Sequence, residues 1–182
     1  MKCKDPQQTK KAMKDAMISL LLEKKFEEIS IKDITDKAEV HRSTFYAYYT
    51  CKGDVIDEIE KDFIDTLPVF QSAKKEDILS SFSEFVELIK NNVNIVRAVR
   101  NSGIAPTFGS VLVSRVMERY KLIFHANDKC LEEAAYIFCI NGIQGIINNW
   151  IDKGCIESID TIASISIRLA FNTVGLSSDI SV

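Results

Sequence analysis

Residues 30–52 read SIKDITDKAEVHRSTFYAYYTCK, and this stretch decides the fold. Ser30, followed three residues later by Asp33, is the capping pattern that opens a helix. Apolar residues then repeat at helical spacing as far as Ala38, which predicts a short helix with one buried face. After a brief break, a second short helix is predicted over residues 42–49. Two short helices joined by a tight turn are typical of a helix-turn-helix.

The second helix of this pair combines an outer polar face with inner aromatic residues. A recognition helix turns short polar and cationic side chains toward the major groove of DNA and buries its opposite face. Phe45 and Tyr49 suit the buried face. Residues 40–53 contain no acidic residue, although the net charge of the chain is −3. Because a carboxylate-free surface rich in hydroxyl and cationic groups suits a phosphate backbone, the stretch predicts DNA binding.

Residues 30–52 closely resemble the DNA-binding domain of the TetR (tetracycline-repressor-like) family of transcription regulators. The specific part is Arg-Ser-Thr-Phe-Tyr at residues 42–46, followed by an aromatic pair and by Lys52 at the start of the next helix. The resemblance covers residues 9–65. It extends more weakly through residues 138–154, which are similar to a Firmicute-type subgroup that includes regulators of dihydroxyacetone kinase operons. The resemblance implies a homodimer, usually a repressor, that binds double-stranded palindromic operator DNA and is released by a small-molecule effector.

The resemblance also implies roles for individual side chains. Ser30 would contact phosphate, and the polar residues at positions 42–44 would face base edges or nearby phosphates. Tyr46, Tyr48 and Lys52 would clamp the backbone, although the two tyrosines could instead be core aromatics. The predicted DNA-binding set is Ser30, Arg42, Ser43, Thr44, Tyr46, Tyr48 and Lys52.

Two departures from the family pattern concern the turn. Glu39 stands where glycine is common, and a non-glycine residue with positive φ costs about 1 kcal/mol there. His41 replaces the usual Ser or Asn cap. We therefore expect a turn that is either slightly strained or differently shaped, and the contribution of His41 to capping or to DNA contact is left open.

Helical periodicity continues along nearly the whole chain, which has only three prolines and seven glycines. A first helix, capped by Asp5-Pro6 or by Thr9, is expected to end near residues 24–26. The other helices are predicted over residues 52–67, 78–89, 91–100, 107–124, 128–152 and 158–174.

The predicted fold class is all-α, because no hairpin signal or internal repeat interrupts the helical pattern. The N-terminal three-helix helix-turn-helix DNA-binding domain is placed at residues 1–52, and a fourth helix at about 53–67 connects it to the rest. A C-terminal helical bundle over residues 68–182 is expected to bind the ligand and to dimerise.

Two further sets of residues are candidates within this C-terminal bundle. The effector pocket would lie among the middle helices, and its residues could equally be plain core. The candidates are Phe82, Phe85, Val86, Ile89, Phe108, Val116, Tyr120, Phe138 and Asn141. The last two long helices would form the dimer interface, with Gly142 and Gly145 permitting close approach either there or within one subunit. The interface candidates are Gly142, Gly145, Ile146, Trp150, Ile162, Ile165 and Leu169.

Composition separates this chain from other classes of protein. Hydrophobic residues make up 46% and charged residues 27%, which argues against disorder. No run of about 18 uninterrupted apolar residues and no N-terminal signal segment are present, so we expect a cytoplasmic protein without membrane contact. The sequence lacks Ser-His-Asp, Cys-His, Glu-x-x-His and phosphate-loop patterns, which disfavours an enzyme. A helical interaction adaptor is a further, weaker alternative.

Metal and cofactor sites are not expected. The five cysteines are widely spread, none forms a Cys-x-x-Cys pair, and only His41 and His125 could add imidazole ligands. We therefore expect reduced, mostly buried thiols and no cofactor.

Overall fold

The computed structural model describes residues 5–67, 78–104, 108–118 and 129–173, and the regular structure within these residues is entirely helical. The predicted all-α class is therefore confirmed for the described chain. The α-helices are α1 Pro6–Glu23, α2 Ile31–Lys37, α3 Arg42–Tyr46, α4 Lys52–Asp65, α5 Ile78–Asn91, α6 Val93–Ser102, α7 Phe108–Met117, α8 Lys129–Asp152 and α9 Ile159–Thr173. A 3-10 turn, Phe26–Glu28, lies between α1 and α2.

Helix α1 begins and ends where local chemistry requires. The Asp5 side chain accepts a hydrogen bond from the backbone N–H of Gln7, and Pro6 occupies the first turn. Of the two predicted caps, Asp5 is therefore the one used, because Thr9 is buried on the inner face. The apolar stripe of α1 is also buried, as its spacing predicts; it comprises Met13, Met17, Leu20 and Leu21.

The described residues form two compact units. The first comprises residues 5–66, 92–104 and 108, and the second comprises residue 67 with 78–91, 109–118 and 129–173. This grouping places α6 with the N-terminal helices, although the predicted boundary at residue 67 assigns it to the C-terminal bundle. The reason is packing, because the apolar face of α6 lies against α1 and α4.

The first unit is built around α1. Helices α2, α4 and α6 each pack against it, and α3 packs against α2. The face of α4 predicted from periodicity is buried there, through Val55, Ile56, Ile59 and Phe63. The ring of Phe63 also lies 5.8 Å from that of Phe108, measured between centroids.

In the second unit, α9 packs against both α5 and α8. Helix α7 approaches α8 closely at Gly109, where an added Cβ would lie 2.5 Å from Nε2 of Gln144. The same Gln144 side chain bonds the Ser110 hydroxyl at 3.0 Å. Gly109 thus leaves room for a glutamine that would otherwise collide with α7.

The connection between α8 and α9 follows the predicted pattern. Gly154 adopts φ 84° after the end of α8, the left-handed geometry predicted for this glycine. The Ser158 hydroxyl accepts a hydrogen bond from the N–H of Thr161 at 3.1 Å, so Ser158 caps α9 as predicted. The predicted helix over residues 107–124 is present from Phe108 to Met117, and residues 107 and 119–124 lie outside the described residues.

Helix α8 is long and apolar enough to cross a membrane by length and composition alone, with a mean hydropathy of 1.2 over an 18-residue window. Polar residues, among them Asn141 and Gln144, interrupt the apolar sequence of this helix, so the helix contains no uninterrupted apolar run of about 18 residues. One face of α8 is buried within the second unit, as in many core helices. The absence of membrane contact therefore stays a prediction.

The turn between α2 and α3 contains a left-handed residue that is not glycine. Glu39 has φ 54°, and its side chain is exposed. The strain expected from sequence is therefore present in the backbone.

We predict that Glu39→Gly raises the free energy of unfolding by about 0.5–1 kcal/mol, because glycine adopts positive φ without the Cβ clash. Glu39→Ala is the matched control, since alanine retains the clash and gives no gain. Denaturant unfolding of the three proteins measures the difference. Equal stability of the glycine and alanine variants would contradict the strain.

Candidate DNA-binding site

Helix α2 is stabilised at its first turn by a reciprocal cap. The Ser30 hydroxyl accepts the N–H of Asp33 at 3.1 Å, and the Asp33 carboxylate accepts the N–H of Ser30 at 2.8 Å. The same carboxylate accepts the Ser30 hydroxyl proton at 2.8 Å and pairs with Lys24 at 3.1 Å. The capping predicted for this pair is therefore confirmed. The Ser30 hydroxyl is exposed and donates its proton to the Asp33 carboxylate. The contact of Ser30 with a DNA phosphate stays a prediction.

Helix α3 depends on the side chain beneath it. Phe45 is fully buried, and its ring centroid lies 5.7 Å from that of Tyr46 and 5.5 Å from that of Tyr49. His41 precedes the helix without a side-chain capping bond in the described structure. α3 ends at Tyr46 rather than at the predicted residue 49, because the chain tightens there into a turn.

The outer side of α3 presents the polar residues that the sequence singles out. Arg42, Ser43 and Tyr46 are exposed, and Thr44 and Tyr48 are half-buried. Five of the seven predicted DNA-binding residues thus lie on or directly after this short helix. The surface formed by these five residues is called the α3 surface below.

Arg42 and Tyr46 contact each other one helical turn apart. A terminal nitrogen of the Arg42 guanidinium donates to the Tyr46 hydroxyl at 3.2 Å. The guanidinium carbon also lies 5.5 Å from the centre of the tyrosine ring, within cation–π range. Because the hydroxyl accepts from Arg42, its own proton remains available for another acceptor.

Tyr49 is a structural residue, as predicted. Its ring is buried, and among the described residues its hydroxyl finds no hydrogen-bond partner. Burial, together with the neighbouring Glu58 carboxylate, raises the pKa of this hydroxyl well above its usual value. The Lys10 ammonium lies over this ring, 5.6 Å from its centre.

Lys52 does not point freely into solvent. Its ammonium donates to the carbonyl oxygens of Phe26 at 2.6 Å and of Ile29 at 2.8 Å, with that of Glu27 at 3.4 Å. It also lies 4.2 Å from the centre of the Phe26 ring. These partners precede α2, and periodicity could not indicate them.

A charge network between α1 and α4 was not predicted from the sequence. Lys10 and Lys14 lie one turn apart on α1, and Glu58 and Asp62 lie one turn apart on α4. Lys10 bonds Glu58 at 2.8 Å, and Lys14 bonds both Glu58, at 3.3 Å, and Asp62. Burial alone would lower the pKa of Lys14, but the two carboxylates raise it. The matching four-residue spacing on both helices was the available signal.

The predicted effector-pocket residues lie in different parts of the structure. Phe82, Phe85, Val86 and Ile89 are buried together along α5, and Val116 is buried on α7. Phe108 belongs to the first unit. Tyr120 lies outside the described residues.

The prediction is wrong for two of the pocket residues, Phe138 and Asn141, which are exposed. Phe138 is 65% exposed, and Asn141 is exposed with its amide donating to the carbonyl of Ile137 at 2.8 Å. Neither can line an internal cavity of the subunit, because the face of α8 that carries them points away from its core.

The predicted interface residues divide into two groups. Gly142, Gly145, Ile165 and Leu169 are exposed, and Ile146 is half-buried. An added Cβ at either glycine would meet no atom within 4 Å in the described structure, so close packing inside the subunit does not explain them.

The interface prediction is wrong for Trp150 and Ile162. Both side chains are buried in the second unit, and the Trp150 indole N–H donates to the carbonyl of Glu157 at 3.1 Å. They are core residues of one subunit, because periodicity identifies an apolar face but not its neighbour.

The thiols are less buried than expected. Of the described cysteines only Cys139 is buried, and burial raises the pKa of its thiol. Cys51 and Cys130 are exposed, so the prediction of mostly buried thiols is wrong. Among residues 5–67, 78–104, 108–118 and 129–173, no three His, Cys, Asp or Glu side chains are arranged to hold a metal ion.

The Ser30–Asp33 cap predicts an acid-sensitive contribution to stability. Hydrogen bonds from the Ser30 backbone and hydroxyl, with Lys24 nearby, lower the pKa of Asp33 to about 2. A lowered folded-state pKa stabilises the fold above the unfolded value, near 4, and the contribution is lost as pH falls toward 2. The stability difference between the wild type and Asp33→Asn should therefore shrink between about pH 4 and pH 2. Chemical unfolding at several pH values measures it, and a constant difference would contradict the assignment.

Comparison with known proteins supports a regulator. No protein-family model matches the chain. A helix-turn-helix-type transcriptional regulator of Bacillus subtilis (strain 168), YxbF, itself uncharacterised, is 31% identical over 62 residues. The match spans 34% of this chain and only 16% of the length of that relative. The chain is thus similar over a third of its length to a helix-turn-helix-type transcriptional regulator, which supports the prediction of a DNA-binding regulator.

Proposed function

We propose that the chain is a TetR-type transcription regulator that binds a palindromic operator as a homodimer. In this proposal it represses transcription in the cytoplasm, and a small-molecule effector releases it from DNA. It has no enzymatic activity and needs no cofactor.

The α3 surface is the observation that carries the proposal. Arg42, Ser43 and Tyr46 project from a helix whose opposite side is held by the buried Phe45. A rigid platform of this kind lets short side chains reach base edges without a large loss of conformational entropy. No acidic residue lies between positions 40 and 53, so none of the residues that form the α3 surface carries a negative charge.

The exposed apolar residues of α8 and α9 support dimerisation. Leu131 and Phe138 on α8 are 61% and 65% exposed, and Leu169 on α9 is 53% exposed. Gly142 and Gly145 on α8 have open space around the position that a Cβ would occupy. Exposed apolar side chains on two packed helices are typical of a protein–protein interface, and a symmetric dimer would cover them with its own copy.

Effector release rests on the family resemblance and on the apolar residues of α5. An effector can shift the protein away from operator only if it binds the two conformations with different affinity. Coupling is reciprocal, so operator must weaken effector binding by the same factor. The buried aromatic residues Phe82 and Phe85 favour an apolar or aromatic compound.

A gel-shift with the promoter region beside the protein's own gene tests the function. We expect one retarded species that survives competitor DNA, and footprints on two half-sites separated by about 34 Å or a multiple of it. A double variant, Arg42→Ala with Ser43→Ala, serves as the control and should lose specific binding. Binding equal to that of random DNA would sink the proposal, and a single asymmetric half-site at saturation would refute the dimer.

Arg42 and Tyr46 should be energetically coupled in operator binding. Tyr46→Phe removes the hydroxyl that both accepts from Arg42 and is free to donate to phosphate, while it keeps the ring. We expect the double variant with Arg42→Ala to lose less affinity than the sum of the single losses, by about 0.5–1.5 kcal/mol. Ser43→Ala in place of Arg42→Ala is the matched control. Additive losses for Tyr46 and Arg42 would show that their contact has no role in binding.

Introducing a charge into the exposed apolar face should separate the dimer. Leu169→Glu places a carboxylate where a partner would bury it, so the dimer dissociation constant should rise at least about 100-fold. Leu22→Glu is the control, because Leu22 is an exposed leucine of the first unit. Analytical ultracentrifugation at micromolar concentration measures the oligomeric state of both variants and of the wild type. A monomeric wild type, or a Leu169→Glu variant that stays dimeric, would contradict the proposed interface.

A further inference from the structure

The ammonium of Lys52 occupies a site made of backbone carbonyls. Its contacts with Phe26 and Ile29 are 2.6 and 2.8 Å long, and Glu27 completes the set at 3.4 Å. An ammonium has three donors, so these carbonyls can use all of them. The Phe26 ring adds a face at 4.2 Å.

The position of Lys52 in its helix makes this arrangement informative. Lys52 is the first residue of α4, where the helix dipole disfavours a positive charge. The side chain carries its charge away from that end and onto carbonyl oxygens at the 3-10 turn Phe26–Glu28, where the Phe26 carbonyl also accepts the N–H of Ile29 at 3.1 Å. The electrostatic disadvantage at one helix end is thus offset at the end of another element.

The contact also closes a loop in the chain. Ser30, α2, the turn at Glu39 and α3 all lie between the carbonyls at residues 26–29 and Lys52. A bond across the base of this segment limits how far α2 and α3 can separate. Lys52 therefore acts on the geometry of the α3 surface without belonging to it.

We infer that Lys52 is a positioning residue that holds the helix pair in its binding geometry, rather than the phosphate ligand that the family resemblance implies. This inference rests on the proposed DNA binding. The ammonium remains on the carbonyls of residues 26–29 in the operator complex, and operator affinity depends on it through the shape of the α3 surface.

Two substitutions and the salt dependence of binding distinguish the roles. Lys52→Met keeps most of the apolar stem and removes the donors. Lys52→Arg keeps the charge, but a planar guanidinium does not place three donors at one point.

We expect both variants to melt at least about 4 °C lower and to bind operator roughly tenfold more weakly. The slope of log affinity against log salt should stay at the wild-type value in both. Lys61→Met, an exposed lysine of the same helix, should change neither quantity.

A phosphate ligand would behave differently. Losing it in Lys52→Met would reduce the salt slope by about 0.9 per chain, because one fewer counterion is released. Lys52→Arg would then restore both affinity and slope, since arginine binds phosphate well. That combination would overturn the inference.

A measurement on the wild-type protein covers the case in which both variants unfold. The Lys52 ammonium should give an NMR signal protected from solvent exchange in the free protein, unchanged when operator is added. A signal that is unprotected, or that shifts strongly on operator addition, would overturn the inference. Failure of the wild type to bind operator would instead refute the proposed function, and the protection and melting data on free protein would still decide whether Lys52 holds the helix pair.

Discussion

The burial of Phe45 is the constraint on which the candidate site depends. A five-residue helix such as α3 is not stable alone, because so few backbone hydrogen bonds cannot offset the entropy of forming it. Full burial of a phenylalanine contributes about 1.5–3 kcal/mol, which exceeds a single helix cap. Since Phe45 must point inward, the helical repeat turns Ser43, two residues earlier, to the opposite side of the helix. Arg42 and Tyr46 lie to the side between them, and both are exposed.

The two helices of the pair are stabilised by different means. α2 has a complete local cap, in which Ser30 and Asp33 satisfy each other's backbone groups. α3 begins at Arg42, its preceding residue His41 makes no side-chain capping bond among the described residues, and the turn before it is strained at Glu39. Its order therefore comes from packing and from the elements on either side. The Lys52 contact and the Asp54 cap, which accepts the N–H groups of Thr50 and Cys51, secure the chain where it leaves α3.

The second unit meets a different requirement, because its last two helices are apolar on more than one face. Ile143, Ile147 and Trp150 bury one face of α8 in the core. Phe138 and Leu131 leave another face exposed, and Leu169 does the same on α9. Hydropathy alone therefore cannot distinguish a core helix, an interface helix and a membrane helix here. Only the distribution of burial around the helix separates the core face from the remaining one.

The sequence by itself determined the elements that depend on near neighbours. The all-α class, the Ser30 cap, the Ser158 cap and the left-handed Gly154 all follow from residues within four positions of one another, and the strained turn at Glu39 follows from comparing its residue with the family pattern. Tertiary structure decided what lies against each apolar face. It placed Trp150 and Ile162 in the core and exposed Phe138 and Asn141, it grouped α6 with the N-terminal helices, and it set Lys52 on carbonyls more than twenty residues away. Periodicity encodes which side of a helix is apolar, whereas contacts between distant segments depend on how the helices pack, and no short-range pattern records that.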